Sequence, residues 1–315
     1  MNHAFFCGVL LVDKPAGPSS FAIIARLRQL FAQQTGLRPR ELPKLGHAGT
    51  LDPFATGLLP IFVGPAVRLA EYFLGAPKRY EGVIRFGAAT ASGDCTDPVI
   101  RTSAVLPAAR AIIQTAADTF VGDTYWQRPP MHSAKKRDGQ PLYVLARQGV
   151  EVERAPVACT ISGFTITAYS APEARFQVAC SAGTYIRVLA QDLAQSLGTV
   201  GMLTALRRVG VGKFDGVAAW TLEQIAAALA ANQPLATLPC AVPFDQLLDH
   251  WPRIAVDAAT ARALGMGQQH VLASLQWPEQ PAPHVALYHA DALLAIAVPT
   301  AAGWRCARVF TAARS

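Results

Sequence analysis

Apolar residues run almost unbroken from Gly8 to Val12 and stop at Asp13-Lys14-Pro15-Ala16-Gly17-Pro18, a pattern that predicts a buried strand breaking into a loop. Behind a Ser19-Ser20 cap, Phe21, Ile24, Leu27 and Phe31 recur at helical spacing, which predicts a helix with those four on its buried face. The stretch KLGHAGTLDPFATG, Lys44 to Gly57, reads as a loop, because three glycines and an Asp-Pro step disfavour helix and paired strand alike. A second apolar helix is expected from Pro65 toward Leu74. KRYEGVIRF then alternates, with Tyr80, Gly82, Ile84 and Phe86 on one face, as a half-buried strand does.

Further along, GFTITAYSAPEARFQVAC predicts a hairpin whose second strand runs into a helix marked by Ile186, Leu189, Leu193 and Leu197 and closed by Gly198. TLEQIAAALAANQP is a helix with a Thr221/Gln224 capping box. An apolar, proline-containing connection from Leu238 to Trp251 precedes a change of texture: a short helix, DAATARALG, then β-like pieces HVALYHADALLAIAVP and WRCARVF. The pattern therefore predicts an α/β (α+β) main domain over 1–250 and a small β-rich domain over 251–315. There is no internal repeat.

Composition narrows the class. The 315 residues suffice for such a core without staples. A net charge of +7 suits a polyanion such as RNA, DNA or anionic lipid, although charge alone does not decide. Basic residues concentrate in MHSAKKRDGQPLYVLARQG, which is either a solvated loop or a phosphate-gripping flap over about 125–150. The six cysteines are scattered without zinc spacing, as expected of reduced thiols in the cytoplasm. No run of eighteen uncharged apolar residues predicts a membrane span, and FFCGVLL reads as a strand rather than a signal peptide.

The candidate chemistry centres on one acid. Asp52 lies among Leu51, Pro53, Phe54 and the Leu58-Leu59 pair, so as a functional carboxylate it needs a cation or donors from elsewhere in the chain; alone it is equally a turn former. Arg187 is the best candidate partner. It falls in the first turn of the helix after Thr184, where a positive charge opposes the helix dipole, and a local rule broken in a regular helix start marks either function or a structural ion pair. His47 is open as a base, an RNA contact or a loop residue, and Tyr80 and Tyr185 as core aromatics or ligand platforms. Phosphate-loop and G-x-S-x-G signatures are absent from the sequence.

GVLLVDKPAGPSS, GHAGTLDPFATGLLP, KRYEGVIRFG, RPPMHSAKKRDGQPLYVLARQG, CSAGTYIRVLAQDLAQSLG and LTALRRVGVGKF occur in an order and spacing that resemble the bacterial TruB-type tRNA pseudouridine synthases, over residues 8 to about 225. The tail from about 250 resembles, more loosely, that family's PUA-like RNA-binding domain. The resemblance implies a pseudouridine synthase fold with a mixed, largely antiparallel sheet, and isomerisation of uridine 55 in the tRNA T loop. It implies Asp52 as the essential carboxylate, Arg187 as its partner and Tyr80 stacked on the uracil. Tyr185 and Leu206 would line the pocket, His47 would fill the hole left by the flipped base, and Arg68, Lys135 and Lys136 would contact RNA.

No cofactor or metal is expected, because uracil leaves as a delocalised anion and a single carboxylate can serve. The expected partner is tRNA, gripped at the T arm and the acceptor end by a monomer. The rival from another class is a non-catalytic RNA-binding or RNA-folding protein using the same cleft. Arg68 stands where the family often has Lys, Asp97 where Gly is frequent, His132 for Tyr and Lys135 for Leu, and Ala91 lies where an acid is common. These departures touch RNA contacts rather than Asp52, Tyr80, Tyr185 or Arg187.

Overall fold

A computed structural model of the chain describes residues 6–131, 136–137, 140–141, 152–214 and 219–310. Strand β1 (Gly8–Lys14) forms where the apolar run predicts it. Helix α1 (Ser20–Thr35) starts at Ser19, whose side chain accepts from the Ala22 amide at 3.1 Å. Its buried face is Ser20, Ile23, Ile24, Leu27, Leu30 and Phe31. Phe21, placed inward by the sequence pattern, is 74% exposed. Ser20 takes the inward position instead, because its hydroxyl accepts from the Leu51 amide at 2.9 Å and donates to the Leu51 carbonyl at 3.1 Å.

The loop expected over 44–57 is shorter than its composition implies. Strands β2 (Leu45–His47) and β3 (Thr56–Val63) pair antiparallel, leaving 48–55 as the loop between them. Gly57 is tolerated in β3 because the chain passes so near the Arg208 backbone that a Cβ would stand 2.3 Å from the Arg208 carbonyl oxygen. The helix expected from Pro65 divides into a 3-10 turn, Gly64–Leu69, and a short α2 (Ala70–Leu74).

Strand β4 (Lys78–Phe86) follows with the expected alternation, then a side ribbon of β5 (Ala88–Thr90) and β6 (Val99–Thr102). Next come α3 (Arg110–Asp118) and β7 (Thr124–Gln127). In the basic segment, β8 (Lys136–Arg137) pairs with β9 (Gln140–Pro141). His132, Lys135 and the side chain of Lys136 lie outside the described residues. The predicted hairpin is β10 (Val157–Ser170) and β11 (Glu173–Cys180), and α4 (Ile186–Ser196) and β12 (Gly201–Val211) follow it. Helix α5 (Leu222–Ala230) carries the Thr221/Gln224 capping box, and β13 (Ala241–Pro243) returns to the sheet edge.

The sheet runs β13-β1-β3-β12-β4-β11-β10-β7, with β2 also on β3. Among the described strands of this sheet only β3 and β12 pair in parallel, so it is mixed and largely antiparallel. Two apolar cores cover it. One joins β1 and β3 to α1 and α5; the other joins β4, β10 and β11 to α3 and α4. The 48–55 loop spans both, with Ala48 in the first and Leu51 and Ala55 in the second.

Beyond Trp251, β14 (Arg253–Ala255), α6 (Ala258–Gly265), β15 (Val285–His289), β16 (Ala292–Thr300) and β17 (Gly303–Val309) build a four-stranded sheet with its own small core. Ala286, Tyr288, Leu293, Ile296 and Phe310 belong instead to the first core. The seam is hydrogen-bonded too, since the Tyr288 hydroxyl donates to the Asp245 carbonyl at 3.0 Å and the Leu293 amide to Asp245 Oδ1 at 2.7 Å. Phe310 packs edge-on against Phe244 with ring centroids 5.1 Å apart. Phe310→Ala is expected to cost about 3 to 5 kcal/mol of unfolding free energy in a urea titration. A loss below about 1 kcal/mol would mean that this seam carries little of the packing energy.

Candidate active site

Asp52 is placed by anchors on either side of it. Lys14, fully buried, donates from Nζ to the carbonyls of Pro15 at 2.8 Å and Pro53 at 3.1 Å. The Gly17 amide also donates to Pro53, at 2.8 Å. Ser20 holds both polar groups of the Leu51 backbone. Arg208, 1% exposed, donates from Nε to the Leu58 carbonyl at 2.8 Å, from Nη2 to Gly49 at 3.2 Å and from Nη1 to Thr50 at 3.5 Å. Buried carbonyls left unpaired are costly, and here side chains from β1, α1 and β12 satisfy those of the loop and its flanks.

The side chain of Asp52 meets the fork of Arg187, with Nε 2.9 Å from Oδ2 and Nη2 3.2 Å from Oδ1. Arg187 is 3% exposed, whereas the Asp52 side chain is 35% exposed, so the pair is closed behind and open in front. The third arm of Arg187, Nη1, donates to the Ser92 carbonyl at 2.7 Å, and Asp94 Oδ2 stands 3.8 Å from Nε. Asp94 Oδ1 in turn accepts from the Ser92 hydroxyl at 3.1 Å and the Thr96 amide at 3.0 Å, and from the Thr96 hydroxyl. The 92–94 turn can approach because Gly93, at φ +79°, would carry a Cβ only 3.2 Å from that of Arg187. Two carboxylates and a carbonyl thus offset the unfavourable position of Arg187 in the first turn of α4. A bidentate guanidinium also fixes the orientation of the carboxylate as no point charge does.

In front of Asp52 opens a cavity of about 290 Å³, lined by Tyr80, Tyr185, Ile186 and Leu206 with Lys78 and Arg208. Tyr185 is held through its backbone: buried Gln127 accepts from the Tyr185 amide at 2.7 Å and donates to its carbonyl at 2.9 Å. Burial pushes the Tyr80 phenol pKa up, with the Arg208 charge opposing it. Burial pushes Lys78 down to about 8, with Arg208 adding to the effect, while its ammonium donates to the Leu74 and Ala76 carbonyls at 2.6 Å each. Lys14 is pushed to about 8 by burial as well, with the Asp52 charge opposing.

Of the candidates named from sequence, Asp52, Arg187, Tyr80, Tyr185 and Leu206 converge here. His47 closes β2 beside the loop and is not on the cavity wall; its Nδ1 is buried with no hydrogen-bond partner among the described residues, and burial lowers its pKa. Arg68 is directed elsewhere, donating to the Val309 carbonyl at 2.9 Å with its guanidinium 4.9 Å from the Phe310 ring centroid. Sequence reasoning missed Asp94, Arg208, Lys14, Lys78 and Gln127. Inward strand parity was the available signal for Arg208, which shares its face with Leu206. Among the described residues, no three His, Cys, Asp or Glu side chains group as a metal set.

The Lys78 shift has a testable sign. A folded-state pKa below the unfolded value means that the unfolded chain binds more protons between about pH 8 and 10.4, so this group makes stability rise with pH across that window. Lys78→Met removes the titration. The stability difference, wild type minus variant, is therefore expected to grow as pH rises from 8 to 10 in paired thermal melts. A flat or falling difference would contradict the buried, charge-penalised ammonium.

The chain is similar to known proteins over most of its length. Residues 37–186 match the TruB family pseudouridylate synthase (N terminal domain) model, and 187–249 that of the tRNA pseudouridylate synthase B C-terminal domain. The chain is 41% identical to tRNA pseudouridine synthase B of Nitrosospira multiformis over 266 residues, 83% of this chain and 80% of the relative. It is 44% identical to the protein of that name from Opitutus terrae over 220 residues, 70% of this chain and 87% of the relative. The crystal structure of a Cbf5-Nop10-Gar1 complex contains a chain of the same fold, with TM-score 0.70 and 21% identity, covering 96% of this chain and 85% of that one. By identity at this level over most of its length, the chain belongs to the tRNA pseudouridine synthase B family.

Proposed function

We infer that this chain isomerises uridine to pseudouridine in tRNA, at position 55 of the T loop, with Asp52 as the essential carboxylate. The observation that carries the reading is an aspartate held from behind by a buried bidentate arginine and presented to an aromatic-lined cavity. The reaction breaks the bond from ribose C1′ to uracil N1, turns the base and joins C1′ to C5, with no net redox change or hydrolysis. A carboxylate aimed by that arginine fork can attack C1′, add to uracil C6, or take the 2′ hydrogen to give a glycal. Each route asks one acid for one well-directed oxygen.

The walls serve the remaining needs of that chemistry. Tyr80 stacks on the flipped uracil, and Tyr185 and Leu206 exclude water that would trap the detached ribose. His47, beside the loop, fills the space left in the T loop. Flipping costs a few kcal/mol, offset by stacking and by phosphate contacts from the basic segment with Lys135 and Lys136. Arg68, seated against the C-terminal strand, contacts RNA at the seam between the two sheets. The domain over 251–315 takes the acceptor end of the tRNA. The protein acts as a monomer in the cytoplasm; six free thiols favour a reducing compartment, and among the described residues no helix is long and apolar enough to cross a membrane.

Asp52→Asn separates this reading from a non-catalytic RNA-binding protein. The change is nearly isosteric, so tRNA binding should stay within about tenfold of wild type, or 1.4 kcal/mol, while an amide neither attacks C1′ effectively nor removes a proton. Single-turnover tritium release from C5-labelled uridine in tRNA should fall below detection. Release at near the wild-type rate would reduce Asp52 to a turn residue. Arg187→Lys keeps the charge and loses the fork, and is expected to raise the barrier by about 2 to 4 kcal/mol at unchanged tRNA affinity. A rate within a few-fold of wild type would remove Arg187 from its role.

A further inference from the structure

Arg208 stands where the two halves of the site are joined. On one side it is the register partner of Tyr80 across the β12–β4 ladder, and on the other that of Gly57 across the parallel β12–β3 pair. Directly opposed residues on one face bring their side chains together, and Arg208 and Tyr80 both line the cavity in front of Asp52. The guanidinium reaches the carbonyls of Gly49 and Thr50 before Asp52 and that of Leu58 after it. Those three bonds point in different directions from one rigid plane, which the three donors of an ammonium on a flexible stem do not reproduce. Gly49 presents its carbonyl to Arg208 from a left-handed backbone, φ +100°, that a residue with a side chain adopts only under strain.

We propose that Arg208 is a positioning residue for the isomerisation, which sets the distance and angle between the Asp52 carboxylate and the Tyr80 ring by tying both shoulders of the acid loop to the strand beside Tyr80. The proposal rests on the reading of this cavity as the uridine site. Arg208 itself transfers nothing and forms no bond to the nucleotide. Its direct effect on Tyr80 is electrostatic, a cation beside a buried phenol that draws the phenol pKa down against the rise caused by burial. Displacing reacting groups by about 1 Å costs on the order of a hundredfold in rate, so the expected defect lies in turnover and not in affinity.

The test uses the full chain with Arg208→Lys and Arg208→Gln, read by thermal melting, tRNA filter binding, single-turnover rate at saturating tRNA and 19F NMR of 3-fluorotyrosine-labelled protein. The Tyr80 resonance is assigned by its loss in Tyr80→Phe. Arg208→Lys is expected to bind tRNA within about threefold of wild type, to react about a hundredfold more slowly, and to shift the Tyr80 resonance while the other tyrosines stay. Arg208→Gln is expected to be slower still. A folded Arg208→Lys with a rate within threefold of wild type, or a slow one whose Tyr80 resonance does not move, overturns the proposal. If neither variant melts cooperatively, wild-type and Tyr80→Phe proteins labelled at the arginine side-chain nitrogens decide. A guanidinium protected from solvent exchange that shifts when the phenol is removed supports the coupling, and no such shift overturns it. Asp52→Asn in the same assay keeps the two ideas apart: near-wild-type activity there defeats the site reading, whereas an inactive Asp52→Asn beside a fully active Arg208→Lys defeats the Arg208 proposal alone.

Discussion

The structure is organised around the two-pronged contact between Arg187 and Asp52. An aspartate at the mouth of this cavity has to keep one orientation and still present oxygen to a substrate. A guanidinium fork from behind meets both demands, but only if the arginine is itself immobile. That requirement explains why Arg187 is buried in the first turn of α4, why the Ser92 carbonyl and Asp94 close around it, and why glycine stands at position 93. The cost of burying charge is large, and breaking such a pair by removing one partner typically costs about 3 to 5 kcal/mol. Two acids sharing one arginine keep that cost low while only Asp52 faces the cavity.

The acid loop is held to comparable standards by different means. Lys14, Ser20 and Arg208 come from three separate elements, and each donates to carbonyls of the loop or its flanks. Because the loop also inserts Ala48 into one core and Leu51 and Ala55 into the other, it forms the joint between two packed halves of the sheet. Small shifts of either half therefore reach Asp52. Rigidity here is a property of the whole sheet, which is what a reaction dependent on one aimed oxygen demands.

Much of this was legible in the sequence where a signal is local. The β1 run, the alternation of β4, the α5 capping box and the first-turn position of Arg187 each reflect short-range chemistry, and each has its counterpart in the fold. Failures came where tertiary contacts override pattern. Ser20 displaced Phe21 from the inner face of α1 because a hydroxyl was needed against Leu51, and Gly46 and Gly57 joined strands despite their turn propensity. Asp94 was invisible because nothing local separates an acid in a polar turn from one that closes on an arginine 93 positions away. The contact of Arg68 with Val309 and Phe310 in the C-terminal segment is likewise a pairing that no local pattern announces.

The central claim is that this one chain, through the Asp52 cavity, converts a T-loop uridine without helper proteins or added cofactors. Mapping pseudouridine in an unmodified tRNA transcript after incubation with the purified protein alone tests it most directly. The account predicts stoichiometric pseudouridine at position 55 and none elsewhere in the transcript. A transcript that is bound but left unmodified, or modified only outside the T loop, would contradict it.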